Sequence, residues 1–357
     1  MLHAVVMAGG SGTRFWPQSR QTMPKQLLKL SGDRTMIQQT FDRCGGLIDS
    51  GQSWVVTNAV QADATSQQLP EIDRARILVE PDARNTAPCI GLAAVHLLKQ
   101  DADAIMFVMP ADHVIQPIEK FQQAIQAAVQ VVEADPTRLV MFGVPPTFPA
   151  TGYGYIERGD GFPSVDSAFD VASFREKPAA EIAQQYIDSG NFYWNCGIFC
   201  WRADTILNLL KSHEPEMHDR LMKISDAIGT PSEAAVVADE FPKMNSISID
   251  YAVLERASGA TVIEAPYEWD DVGSWLAVPR LAGNDPEGNT LQGKTLAIES
   301  KNNIVRTTDD HLVATLGVED LIIVHTPDAT LVARRDDSER IKEILAQLKQ
   351  DGDVQFL

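Results

Sequence analysis

Ala8-Gly9-Gly10-Ser11-Gly12-Thr13-Arg14-Phe15-Trp16-Pro17, followed by Met23-Pro24-Lys25-Gln26, is the stretch whose reading decides the fold. It follows the apolar run Leu2 to Met7, which reads as a buried first strand. Three glycines fall within four positions, and glycine lets a backbone turn sharply and approach a ligand without a Cβ in the way. Successive N–H groups in such a turn form a concavity that holds anions. The first 32 residues contain no Asp or Glu, yet carry Arg14, Arg20, Lys25 and Lys29. In a chain of formal charge -19, that local reversal points to a polyphosphate.

Two common phosphate loops fail on residues. A Walker A loop needs a Lys followed by Ser or Thr after its last glycine, and none stands in that register. A Rossmann fingerprint needs a third glycine at position 15, where Phe15 stands.

Outward from the loop, short apolar runs alternate with helical patterns. Strands are expected at Leu2–Met7, Trp54–Thr57, Ile77–Glu80, Ala104–Met109 and Leu139–Gly143. Helices are expected at Thr35–Cys44, Thr86–Lys99 and Pro117–Ala134. The expected class is α/β, a Rossmann-like and mostly parallel sheet flanked by helices, with ligands at the carboxyl ends of its strands. From Thr151 strands are expected at Gly152–Ile156 and Phe169–Glu176, with a Gly-Asp-Gly turn near Asp160. Helices follow at Ala179–Ser189, Ala203–Ser212 and Ile249–Ala257. The cluster Asn284-Asp285-Pro286-Glu287-Gly288 reads as a linker. It is expected to divide a large α/β domain, 1–285, from a small C-terminal β unit with a terminal helix, 286–357. Strands of that unit are expected at Thr295–Glu299, Asn303–Thr307, His311–Thr315, Leu321–His325 and Thr330–Ala333. In the terminal helix Ile341, Ile344, Leu345 and Leu348 share one face. A β unit this short cannot close a core alone, so the segment is expected to form a homodimer.

Composition narrows the partners. With 30 basic against 49 acidic residues, a nucleic-acid or anionic-membrane surface is not expected. No apolar run approaches a membrane span, and the N-terminus enters a strand without a charged leader. Cys44, Cys89, Cys196 and Cys200 lack zinc-type spacing; Cys196 and Cys200 share strand parity and are expected as small core residues, and the compartment is expected to be reducing and cytoplasmic.

Three further groups of residues carry chemistry. Asp112 follows the apolar strand Ile105–Pro110, and Asp270-Asp271 lie in Glu268-Trp269-Asp270-Asp271-Val272-Gly273-Ser274. Read alone, Asp112 serves equally as a helix N-cap or a metal ligand, and Asp270-Asp271 equally as a turn or as ligands. Glu80-Pro81-Asp82-Ala83-Arg84-Asn85-Thr86-Ala87-Pro88 leads into a helix with Thr86 as its expected N-cap. Its free backbone donors and Asn85 suit a nucleobase. Gly152-Tyr153-Gly154-Tyr155, Arg175-Glu176-Lys177-Pro178 and Trp194-Asn195-Cys196-Gly197-Ile198-Phe199 offer close backbone, an acid, a base and an amide for a sugar phosphate.

The ordered strings GGxGTRxxPxxxxxxPKQ, EPxxRNTAP, MPADHVI, GYGYI, FxEKP, WNxGIF and WDDVGSW resemble the sugar-1-phosphate nucleotidyltransferases, in particular the mannose-1-phosphate guanylyltransferases. Cys89 and Cys196 depart from the usual small residues of these motifs. The resemblance implies transfer of GMP from GTP to α-D-mannose 1-phosphate, giving GDP-mannose and pyrophosphate. It implies Mg2+ on Asp112 and Asp271, and catalytic roles for Arg14 and Lys25 beside them. It places the nucleotide on Ala8, Gly9, Gly10, Gly12, Thr13, Arg14, Lys25, Glu80, Asn85, Thr86, Ala87 and Asp112, and the sugar phosphate on Gly154, Glu176, Lys177 and Asn195. Rival readings are a uridylyl- or thymidylyltransferase acting on glucose 1-phosphate and a non-catalytic nucleotide-sugar sensor. Larger members add an isomerase domain; the segment after Pro286 is too short for one, so no isomerase activity is expected.

Overall fold

The structure, a computed structural model, describes residues 1–10 and 12–357. Its first strand, β1 (Leu2–Met7), is apolar throughout because both faces of the sheet are covered. Ala4 and Val6 enter a core on one face; Val5 enters a second core on the other. Around it stand β2 (Ser53–Asn58), β3 (Ile77–Glu80) and β4 (Ile105–Pro110), all parallel. Next in the chain come the short β5 (Val114–Gln116), then β6 (Leu139–Val144), β7 (Gly154–Gly161), β8 (Ala168–Glu176), β9 (Phe192–Arg202), β10 (Ala260–Glu264) and β11 (Glu268–Asp270). The main sheet runs β3-β2-β1-β4-β9-β6-β10-β8-β7. β9 inserts antiparallel between β4 and β6, so the sheet has a parallel half that carries the glycine loop and a mixed half beyond it. β5 and β11 form a separate antiparallel pair that brings Asp270 opposite Val114.

Helices cover both faces. α1 (Met36–Asp42), α2 (Ala62–Gln68), α3 (Thr86–Gln100) and α4 (Ile118–Ala134) alternate with the strands. α5 (Ala180–Ser189), α6 (Ala203–His213), α7 (Pro215–Ala227) and α8 (Glu233–Glu240) follow, and α9 (Val278–Ala282) precedes the linker. α3, α6 and α7 pack on the face that receives Val5, and α1 and α4 on the other. Two local expectations need correction. Gly159-Asp160-Gly161 is the bulged end of β7, and the chain turns later, through Ser164 at φ 73. Glycines here permit irregular pairing where a turn was expected. The stretch expected as a helix at Ile249–Ala257 contains a single π turn, Asp250–Leu254.

The C-terminal unit winds as a coil. Strands β12 (Thr290–Gln292), β14 (Ile304–Thr307) and β16 (Leu321–His325) stack in parallel, closed by antiparallel β17 (Thr330–Arg334). β13 (Thr295–Ile298) and β15 (Val313–Leu316) stack on a second face. A buried asparagine ladder fixes one corner: Asn303 donates to Asn289 Oδ1 at 3.0 Å and to Val318 O at 3.0 Å, and accepts from Leu321 N at 3.0 Å. The terminal helix, α10 (Ile341–Asp351), buries Ile341 and half-buries Leu345 and Leu348. They join Ile304, Ile322, Val324 and Leu331 of the coil in a third core. That core also contains Phe15, Trp16 and Trp275, so the coil closes its interior on the large α/β unit. Trp275 Nε1 donates to Trp16 O at 3.1 Å, and Trp16 Nε1 donates to Phe356 O at 2.8 Å.

A shared core makes the two halves melt together. Ile322→Ala is expected to cost about 2–5 kcal/mol, as for other buried aliphatic truncations. Circular dichroism and tryptophan fluorescence should then report one transition at one lowered Tm; an early separate melt of the coil would contradict the shared core.

Candidate active site

The signature loop closes on the segment that follows it. Gly12 has φ 55, and a Cβ there would lie 2.4 Å from Lys25 N, so only glycine lets Lys25 pass beneath the loop. Gln26 pins the loop from its other side: its Nε2 donates to Ala8 O at 2.8 Å, Gly10 O at 3.2 Å and Gln61 Oε1 at 3.1 Å. Lys25, only 5% exposed, delivers its ammonium to Asp112 Oδ2 at 2.9 Å and to Asp271 O at 2.6 Å. Burial alone would raise the Asp112 carboxyl, but the charge and hydrogen bond of Lys25 work against it, and the group is held below the ordinary carboxylate value. Asp112 is followed by a turn and β5, so it caps no helix.

Asp271 is presented by an unusual backbone. Val272 sits at φ 48, a conformation that β-branched residues rarely adopt. Asp270 holds that turn by accepting from Val272 N at 2.8 Å, and is itself fixed by Arg280 Nε at 2.5 Å. Asp271 Oδ1 accepts from the Tyr153 hydroxyl at 2.9 Å, while Arg14 donates to Gly273 O at 3.3 Å. Asp270 is therefore a positioning residue for its neighbour.

Gly12, Thr13, Arg14, Phe15, Lys25, Asp112, His113, Asp271 and Gly273 line a cavity of about 320 Å3 at the carboxyl end of β1 and β4. Beside it lies a second cavity of about 260 Å3, whose wall includes Thr86, Tyr153, Gly154, Glu176, Asn195 and Asp250. His113 and Asp271 line both. Trp269 Nε1 donates to His113 Nδ1 at 3.1 Å, which puts the imidazole proton on Nε2, 4.0 Å from Asp112. Burial drives the His113 pKa down to about 4 against the pull of Asp112, so the ring is neutral.

The remaining residues singled out in the sequence lie around these cavities. A Cβ at Gly154 would meet Glu176 Oε2 at 2.5 Å, so this glycine makes room for that carboxylate. Lys177, at φ 48, turns back to pair with Glu176 and does not line the cavity. Asn195 donates to Asp250 Oδ1 at 2.9 Å, and its own Oδ1 accepts from Gly197 N at 3.0 Å. On the nucleobase side, Asn85 at φ 68 is the N-cap of α3, not Thr86, because its side chain accepts from Thr86 N. The Thr86 hydroxyl instead accepts from Ile249 N at 2.9 Å, and Ala87 N donates to Ile247 O at 3.1 Å. The Thr86 and Ala87 N–H groups, at a helix start expected to offer free donors, are thus already bonded. Ala8, Gly9 and Gly10 form the back of the loop, with Glu80 Oε2 2.9 Å from where a Cβ on Gly9 would sit.

Gln26, His113, Tyr153, Asp250 and Trp269 were not singled out as site residues. Only Asp250 lies outside the quoted motifs, in a stretch with no spacing signal of its own.

The profile of the Nucleotidyl transferase family matches residues 3–285, and that of the MannoseP isomerase/GMP-like beta-helix domain matches residues 293–348. The chain belongs to the nucleotidyl transferase family. Among curated relatives it is 40% identical to a mannose-1-phosphate guanylyltransferase of Salmonella typhimurium, over 98% of this chain and 74% of that protein. It is 39% identical to the mannose-1-phosphate guanylyltransferase of Escherichia coli, with the same coverage. Among solved structures, a mannose-1-phosphate geranyltransferase from Thermus thermophilus superposes with a TM-score of 0.86 at 31% identity, covering 98% of this chain and 99% of that one. A mannose-6-phosphate isomerase from Helicobacter pylori superposes with a TM-score of 0.61 at 25% identity, covering 75% and 99%.

Burial pushes the Glu80 carboxyl up from 4.5 to about 7, although a hydrogen bond with Cys89 opposes this. Below pH 4.5 the group is protonated folded or unfolded and costs nothing. Between 4.5 and about 7 only the unfolded chain ionises, so the folded protein loses stability as pH rises. Glu80→Gln should therefore match the parent at pH 4.5 and exceed it at pH 8, by up to about 3 kcal/mol. Urea melts of the ligand-free protein at both pH values measure this gap; an equal gap at both would rule out titration of Glu80 as its cause.

Proposed function

We propose that this protein transfers GMP from GTP to α-D-mannose 1-phosphate, releasing pyrophosphate and GDP-mannose. One observation carries the reading. A cavity behind the glycine loop that carries Arg14 and Lys25 and an acid-lined cavity beside it share Asp271 and His113, so two substrates meet along one wall. The names of the curated relatives supply the particular pair. Lys25 and Arg14 neutralise the triphosphate and the leaving pyrophosphate, and the already ionised sugar phosphate attacks the α-phosphorus without a covalent enzyme nucleophile. The neutral His113 presents an N–H donor at the junction, and Glu80 supplies the acceptor that guanine N1–H and N2–H2 require. The carboxylates of Asp112 and Asp271 suit Mg2+, which takes one or two carboxylates and completes its shell with substrate phosphates and water. The Lys25 ammonium that already bonds to both residues marks the place as one built for positive charge. When bound there, Mg2+ would neutralise phosphate oxygens.

The homodimer is part of the same proposal. Leu296, Ile298 and Leu316 project from one face of the coil, with exposures of 48%, 48% and 70%. Their register on β13 and β15 places them side by side, a patch suited to a second copy. The four cysteines are buried and unpaired, which fits a cytoplasmic setting.

A pyrophosphate-release matrix of four nucleoside triphosphates against several hexose 1-phosphates tests the substrates. GTP with mannose 1-phosphate is expected to lead. A clear lead for UTP with glucose 1-phosphate would overturn the pair. Asp112→Asn and Asp271→Asn should each lower kcat by at least about a hundredfold in a folded protein; near-normal turnover in both would remove the carboxylates from the metal assignment. Light scattering should show a dimer that Leu316→Arg converts to a monomer, whereas a monomeric parent would end the dimer proposal.

A further inference from the structure

The sugar-side cavity presents more acid than its motifs announce. Glu176 enters it over Gly154, and Asp250 enters from a different element, the first residue of the π turn Asp250–Leu254. Widened turns of this kind mark functional sites more often than ordinary helix does. The segment that carries Asp250 is braced from outside. Ile249 N donates to the Thr86 hydroxyl at 2.9 Å, and Ile247 O accepts from Ala87 N at 3.1 Å. Asp250 is thus fixed to the start of α3, the element placed on the nucleobase side.

Asn195 is committed at the same place. Its amide nitrogen donates to Asp250 Oδ1, and its oxygen accepts from Gly197 N. It holds the carboxylate of Asp250 in position more than it offers groups of its own. Burial first, then the nearby Glu176 carboxylate, push Asp250 up to about 6. Lys177 pairs with Glu176, while the side-chain partners of Asp250 are neutral, the amide of Asn195 and the hydroxyl of Ser248. Two ionisable acids that face one cavity with spare acceptor sites are matched by a ligand rich in O–H donors. A hexose ring supplies these on adjacent carbons.

We propose that Asp250 reads a ring hydroxyl of the hexose, accepting its hydrogen bond beside Glu176, with Asn195 as its positioning residue. This rests on the reading of the second cavity as a sugar 1-phosphate site. Together the two carboxylates set which epimer fits, because a hydroxyl turned to the other face of the ring leaves one acceptor unpaired.

Asp250→Ala and Asp250→Asn, assayed with GTP and mannose 1-phosphate, test this together with a panel of monodeoxy mannose 1-phosphates. Asp250→Ala should raise KM for mannose 1-phosphate about ten- to a hundredfold while KM for GTP stays within about twofold. Asp250→Asn, which keeps shape and one acceptor, should fall between parent and alanine. For one deoxy sugar, the one lacking the hydroxyl read, parent and Asp250→Ala should have the same KM. A uniform KM rise across the whole panel, or a parallel loss of GTP affinity and Tm, would mean a structural role and overturn the proposal. So would an unchanged sugar KM in an active parent background, and that result leaves the transferase reading intact. A parent that releases no pyrophosphate with any hexose 1-phosphate ends both.

Discussion

The site hangs on the passage of Lys25 beneath Gly12. A side chain at Gly12 would collide with the Lys25 backbone, so loop and lysine are one packing unit separated by twelve residues of sequence. The ammonium that results is nearly sealed from water, and such a charge persists only where acceptors surround it. Asp112 and the Asp271 carbonyl provide them, which ties the loop to the end of β4 and to the turn after β11. Gln26 completes the unit by holding two loop carbonyls. Three elements far apart in sequence are thus fixed by one dipeptide, and the first cavity is the space left above it.

That arrangement separates charge along the cleft. Arg14, Lys25 and Asp112 stand at one end and Glu176 and Asp250 at the other, with His113 and Asp271 at the junction. A neutral His113 matters here, since a second fixed cation beside Lys25 would compete for the same carboxylate. Its tautomer is set by Trp269, a residue of the same short strand that leads to Asp271. The strained Val272 backbone belongs to the same design. A residue held in the left-handed region costs about 1–3 kcal/mol and persists where its surroundings fix it. Here the buried Val272 side chain and the Asp270–Arg280 pair do so, and Asp271 is aimed into the cleft as a result.

Much of this was legible in the sequence where the signal is local. β1 and β3 fall at the residues their apolar runs mark, and β2, β4 and β6 within a residue or two. The motif strings brought Gly12, Arg14, Lys25, Asp112 and Asp271 to one cavity and Gly154, Glu176 and Asn195 to its neighbour. What stayed hidden depends on contacts between distant segments. The central position of β9 follows from pairing on both of its edges, which no periodicity encodes. α7 shows its amphipathic face only against α3 and α6, and α8 packs in turn on α7. Asn85, and not Thr86, caps α3, because the Thr86 hydroxyl is claimed by Ile249, 163 residues away. Asp250 was invisible for the same reason: its role depends on Asn195 and Thr86, which lie on other elements.

The C-terminal coil acts on the site through the loop's far side. Phe15 and Trp16 immediately follow the glycine loop and bury themselves in the core that the coil and α10 complete. Polar contacts repeat the attachment: Arg20 pairs with Asp328 at 2.9 Å, Arg306 donates to Lys29 O at 2.5 Å, and Arg14 lies 3.6 Å from Glu339. A glycine-rich loop has high conformational freedom, and ordering it at the moment of binding would consume binding energy. Anchoring its two aromatic residues in a hydrophobic core before any ligand arrives removes part of that cost. The third core therefore links the folding of the coil to the order of the loop: burial of Phe15 and Trp16 stabilises the coil, and the coil in return restricts the backbone that leads out of the glycine loop.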